Sequence, residues 1–155
     1  MSIALAKRIK QEKFESKSQE VLLDLLVAAS EIRVRLERVY SNFGISLAQY
    51  NLLRILKGAY PEGRARFDIS DRMIDRSPDV TRLIDRLRKL GLVERVRSQS
   101  DKRISKARIT RAGIGLLEEI QSDLEETQRK LLSNLTDKEQ TLFSHLCGRI
   151  IESPD

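Results

Sequence analysis

The stretch "RSPDVTRLIDRLRKLG", Arg76 to Gly91, carries two opposed helical faces. At about 100° per residue, Val80, Leu83, Ile84, Leu87 and Leu90 share one arc of about 120°, and Arg82, Arg86 and Lys89 lie opposite. The apolar arc wants a core. Pro78 pushes Ser77 out of the α region, which suits Ser77 to cap the helix, while Pro78 loses nothing at the first helical position. Gly91 suits the left-handed residue that ends many helices. Arg82 and Arg86 stand four apart and repel by a few tenths of a kcal/mol in an isolated helix. That small cost points to an external anion or to plain solvent.

Outward from this helix the chain keeps alternating caps and apolar periods. On its C-terminal side, "LVERVR" and "ISKARIT" are two short β-capable runs around the turn-forming "SQSDKR". They predict a hairpin with Lys102 and Arg103 at its tip and Arg95, Arg97, Lys106 and Arg108 on its arms. On the N-terminal side, "FDISDRMI" predicts a short helix with Phe67, Ile69, Met73 and Ile74 inward. Before it, "SLAQYNLLRIL" opens with Ser46 and Gln49 in capping-box spacing and presents Tyr50, Leu53, Ile55 and Leu56. Gly58, Pro61 and Gly63 then punctuate the chain.

Further out, Lys17 to Phe43 carries apolar residues at spacings of three and four, a long helix stopped by Gly44. Residues 1 to 16 show only weak periodicity, as a frayed arm or the first turns of a helix. From Thr110 a helix carries Leu117, Ile120, Leu124, Leu131 and Leu135 close to a heptad seam. A last helix starts at the capping box Thr136 to Glu139 and carries Leu142, Phe143, Leu146, Ile150 and Ile151.

The fold class is therefore mainly α with a small β-hairpin. Helix, helix, short helix, turn, charged helix and basic hairpin is the order of a winged helix-turn-helix, with helices before and after it. In that arrangement the second helix of the turn enters the major groove with its N-terminal residues leading. Thr81 and Arg82 then face base edges, with Ser77, Pro78 and Asp79 near the tip. Arg pairs bidentately with guanine, and Thr bonds a base or touches a thymine methyl. Arg86, Arg88 and Lys89 sit further along, opposite phosphates. Arg97, Lys102 and Arg103 of the hairpin reach phosphate or the minor groove, where negative potential is enhanced. Asp101 is the odd anion there, suited to holding Arg103 or a neighbouring Arg in place. Asp79 has two readings: a carboxylate at a helix N-terminus stabilises by about 0.3 to 1 kcal/mol without any DNA, or it accepts from cytosine N4.

The charge is arranged to match. Of 155 residues, 29 are Lys or Arg and 23 Asp or Glu, a net charge of +6. Between Ser46 and Ile109 the cations outnumber the anions 16 to 8, whereas from Thr110 to Asp155 they stand 5 to 9. Clustered cations are what phosphate neutralisation requires. An enzyme finds no support: one His, one Cys, no clustered carboxylates and no glycine-rich phosphate loop leave neither catalytic residues nor a metal set or cofactor. Cys147 shares a helical pattern with Phe143 and Ile150 and reads as a buried structural thiol. No apolar run is long enough to span a membrane and no signal peptide is evident, so a cytoplasmic location is expected.

"SLAQYNLLRIL", "SPDVTRLIDRLRKLGLVERVRSQSDKRISKARIT" and "TRAGIGLL" resemble the multiple antibiotic resistance regulator (MarR) family of bacterial transcription factors. The resemblance covers about residues 20 to 150, and "SDKR", with Asp101 and Arg103, matches the family's Asp-x-Arg wing signature. It implies a homodimer in which the first, fifth and sixth helices of both chains form the interface, and two winged units on a pseudo-palindromic operator. Residues 17–45 and 110–152 would then be the dimerisation region and 46–109 the DNA-binding region of one compact domain. It also implies either a small phenolic or lipophilic effector in a cleft between the two parts, or oxidation of a cysteine. The first helix has no Cys, which speaks against thiol sensing. Tyr40, Phe43, Tyr50 and Arg54 are candidates for the cleft, with aromatic core as the alternative role. The resulting expectation is a dimeric repressor bound to double-stranded DNA. A winged-helix module for protein or RNA, without an operator, is the competing reading.

Overall fold

The computed structural model describes residues 3–11, 13–76, 79–97 and 105–153. Helix α1 spans Ile3–Ile9, α2 Lys17–Asn42, α3 Leu47–Lys57, α4 Arg66–Ser70, α5 Val80–Lys89, α6 Arg111–Leu132 and α7 Asp137–Ile151. Strands β1 (Arg64–Ala65), β2 (Val93–Arg97) and β3 (Ser105–Ile109) form one antiparallel sheet in the order β1-β3-β2. The expected hairpin is β2 and β3, with Val93 opposite Ile109 and Arg97 opposite Ser105. Strand β1 was not expected. Two residues have no period of their own, and only pairing of Arg64 with Ala107 and Ala65 with Lys106 makes them a strand.

The caps form largely as read. Ser46 and Gln49 close a reciprocal box at α3, and Thr136 and Glu139 another at α7. Glu37 of α2 adds to the first, accepting from the Leu47 amide at 2.9 Å. Gly91 lies just past α5 at φ +72°, where a side chain would be strained. The start of α5 corrects the sequence reading. Its cap is Asp79, whose carboxylate accepts from the Arg82 amide at 3.1 Å, and not Ser77. Asp caps as well as Ser and adds negative charge to the positive end of the helix dipole. Ser77 and Pro78 themselves lie outside the described residues, as do Asp101, Lys102 and Arg103.

One hydrophobic cluster ties these elements together. Leu52, Leu53 and Leu56 of α3, Ile69 of α4, Leu87 of α5, Ile109 of β3 and Ile120 of α6 are fully buried in it. Helix α2 joins through Val39 and Tyr40, and α6 through Leu117 and Leu124. Helix α6 begins hard against the root of the hairpin. Thr110 caps it, accepting from the Gly113 amide at 3.1 Å and donating its hydroxyl to the Gly91 carbonyl at 2.8 Å. A Cβ on Gly113 would stand 2.5 Å from the Leu92 carbonyl oxygen and 2.7 Å from an Ile109 side-chain carbon, so only glycine fits.

Several residues expected inward face out. Phe67 and Ile74 are exposed because the short α4 ends at Ser70, too soon to turn both toward a core that Ile69 and Met73 already reach. Leu90 is exposed as the cap residue of α5. In the seam of α6 only Leu117, Ile120 and Leu124 are buried, with Leu131 half-buried and Leu135 exposed beyond the core's edge. Helix α7 buries nothing within this chain, so Cys147 is half-buried instead of buried. The N-terminal arm contains the separate helix α1, fastened by buried Leu5 and by Arg8 to Glu31 at 3.2 Å.

Candidate nucleic-acid interface

Helix α5 seats Val80, Ile84 and Leu87 in the core, which turns Thr81, Arg82, Arg86 and Lys89 outward. The opposed faces of the sequence are thus opposed in space. The cations around this face fall into two sets. In the first, carboxylates occupy them. Asp85 accepts from Arg88 at 3.3 Å and from Arg95 of β2 at 3.0 Å, which ties α5 to β2. Arg108 donates to Glu94 at 2.9 Å and to the Pro61 carbonyl at 3.3 Å. Asp68 accepts from Arg64 at 2.6 Å and Arg72 at 2.9 Å, and the Arg64 hydrogen bond above all holds its carboxyl below the usual range.

In the second set, among the described residues, the side chains of Arg66, Arg82, Arg86, Lys89 and Arg97 make no hydrogen bond or ion pair. Arg82 and Arg86 lead along the exposed side of α5, and Arg97 ends β2 where the wing begins. Between α4, α5 and the sheet lies a cleft of about 280 Å³ lined by Arg66, Thr81, Ile84, Arg95, Ser105, Lys106 and Ala107. Its apolar floor is Ile84 and Ala107, and cations stand around its rim. Sequence reading missed Arg66 and Asp85. Asp85 had a weak signal in its three-residue spacing to Arg88, but Arg66 reaches the cleft only because β1 pairs with β3.

The four cleft candidates separate. Tyr40 and Tyr50 stack with ring centroids 4.3 Å apart and planes 19° from parallel. Tyr40 is buried, and burial, with smaller effects of Tyr50 and Glu37, pushes its hydroxyl up to about 12. Burial also raises Tyr50, against the opposing charge of Arg54. Phe43 packs half-buried against the core and Arg54 is exposed. Among the described residues no group of three His, Cys, Asp or Glu could hold a metal ion, and no helix is long and apolar enough to cross a membrane.

A core-mounted helix with an outward cationic face, followed by a basic β-hairpin, defines a winged helix-turn-helix protein. Residues 43–104 match the model of the MarR family. The crystal structure of a MarR transcription factor from Planctomyces limnophilus is 34% identical, with 88% of this chain and 98% of that one covered at a TM-score of 0.68. The transcriptional regulator MhqR of Bacillus subtilis is 26% identical over 86% of this chain and 91% of its own length. A mutant of Escherichia coli MarR complexed with operator DNA superposes at a TM-score of 0.78, with 20% identity, 90% of this chain and 99% of that one covered. This chain belongs to the MarR family.

Proposed function

We propose that this protein is a sequence-specific DNA-binding transcriptional regulator, a homodimeric repressor acting on a pseudo-palindromic operator in the cytoplasm. The observation that carries the reading is the division of charge on α5: among the described residues Arg82 and Arg86 are left without partners while Asp85 occupies Arg88 and Arg95. Arg82 and Thr81, on the first turn, read base edges in the major groove. Arg86 and Arg97 contact phosphate, and Asp79 caps. Ser77, Pro78, Lys102 and Arg103 extend the contact at the tip and wing, with Asp101 positioning Arg103, as the sequence reading has it.

Residues 46–109 form the DNA-binding region, and 17–45 with 110–152 the dimerisation region. Exposed Leu142, Phe143, Leu146 and Ile150 on α7 support this division, because an apolar face that finds no core in its own chain has one available in a second copy. Twofold symmetry sets two recognition helices about 34 to 36 Å apart, one turn of duplex. A phenolic or lipophilic effector completes the reading; of the four candidates, Phe43, Tyr50 and Arg54 are reachable without repacking the core.

Sequencing the genomic fragments retained by the purified protein at about 150 mM salt tests the proposal. Enrichment of a motif with inverted half-sites is expected. Equal retention of all duplexes would leave the alternative of a protein- or RNA-binding module.

A further inference from the structure

The segment between α4 and α5 has to deliver the leading end of the recognition helix to a fixed place. Met73 anchors this segment in the core, and among the described residues Val80 is the next that is buried. Between them, among the described residues, two side chains from other elements hold it. The Asn51 carboxamide oxygen, on α3, accepts from the Ile74 amide at 2.9 Å. Arg33, on α2, grips both carboxylate oxygens of Asp75, Nη1 to Oδ2 at 3.0 Å and Nη2 to Oδ1 at 2.8 Å. The Ile74 side chain is exposed, so the chain is held here through its backbone.

We propose that Arg33 and Asn51 are positioning residues for DNA reading: they clamp Ile74 and Asp75 and so fix where the N-terminal turn of α5 meets the groove. The inference rests on the reading of α5 as the recognition helix. A paired Arg fork and carboxylate fix orientation as well as distance, because both hydrogen bonds fail if either plane rotates. Base-reading side chains must be held to about 0.5 Å, and Arg82 lies on the first turn of α5, seven residues after Asp75. Arg33 sits on the helix assigned to dimerisation, so the clamp also ties the angle of α5 to that helix across 42 residues of sequence. The Arg33 guanidinium holds the Asp75 carboxyl below the usual carboxylate range, chiefly by these hydrogen bonds.

The pair is about half exposed, so its contribution to global stability is small. Its effect belongs in recognition. The test measures affinity for the duplex enriched from genomic fragments relative to a scrambled duplex of the same length, a ratio that cancels uniform charge effects. Arg33→Asp and Asp75→Arg are each expected to lower that ratio about fivefold per half-site, about 25-fold for a duplex held by two protomers, with the melting temperature little changed. The double exchange Arg33→Asp with Asp75→Arg restores it. Asn51→Leu lowers the ratio, and Asn51→Asp, which keeps the acceptor, does not. An unchanged ratio in the single variants, or a loss that the exchange fails to restore, overturns the assignment. If the unaltered protein prefers no duplex, the DNA-reading proposal fails. The clamp is then judged by hydrogen exchange of the Ile74 amide: at least about fivefold faster in Arg33→Asp and Asn51→Leu supports it, and an unchanged rate overturns it.

Discussion

Helices α5 and α7 are built alike and end up differently. Each is capped by a side chain on its N3 amide, Asp79 in one and Thr136 in the other, and each is amphipathic. Yet α5 buries Val80, Ile84 and Leu87 in its own chain and leaves charge outside, whereas α7 buries no residue and leaves Leu142, Phe143 and Leu146 outside. Local chemistry fixes that a helix forms; it does not fix whose core the helix joins. Among the described residues, Arg82 and Arg86 of α5 lack a counter-charge and α7 lacks an apolar partner, so the two point to different kinds of partner.

The strongest way to break this contrast is to charge the open face. Leu146→Glu is expected to convert a dimer into single chains by light scattering, and to lower operator affinity by about a hundredfold or more, because two linked readers become one. Its thermal midpoint, measured on the monomer, stays close to that of a Leu146→Ala control. The opposite substitution is Leu87→Ala on α5, which is expected to destabilise the fold by about 2 to 5 kcal/mol in urea melts, since that side chain is fully enclosed. An α7 substitution as costly to the isolated chain would erase the distinction.

Within α5 the contrast between free and occupied cations can be sharpened. Arg82→Ala is expected to weaken operator binding by about 1 to 3 kcal/mol and to relax base preference at one position per half-site. Arg88→Ala, whose guanidinium is held by Asp85, is expected to change binding less and to leave preference unaltered. Equal losses in anisotropy titrations would show that Asp85 does not withhold Arg88. The smallest effect sits where α2 meets α3. Tyr40 is harder to ionise folded than unfolded, so its contribution is complete below pH 10 and lost as pH rises toward about 12. Tyr40→Phe is expected to flatten stability against pH over that window, by at most about 3 kcal/mol at its alkaline end.

Much of this was legible because it is local. The boxes at Ser46 and Thr136, the stop at Gly91 and the hairpin runs each depend on residues within a few positions, and each formed. What escaped depends on distant partners. Arg64 and Ala65 are a strand only beside β3, and α1 is too short to persist without Leu5 packed beneath it. The Ser77-Pro78 pair is a strong local signal for a cap at Ser77, yet Asp79 is placed to meet the Arg82 amide. The cationic face of α5 was readable as a pattern. Which of its charges are free was not, because that depends on Asp85 meeting Arg95 across the wing.

Gly113 gives the long arm its mechanical character. A 22-residue helix is about 33 Å long, and α6 starts in a socket where even one methyl group would collide with Leu92 and Ile109. With Leu117, Ile120 and Leu124 seated in the core as well, the helix moves as a stiff lever: one degree of tilt at Gly113 carries the far end through roughly 0.5 Å. Read in reverse, a displacement of that size at the distal end of α6 reaches the wing root as a rotation of about one degree. In the proposed dimer, such an arm would hold the spacing of the two winged units steady against disturbance at its outer end and alter it through small changes at the socket.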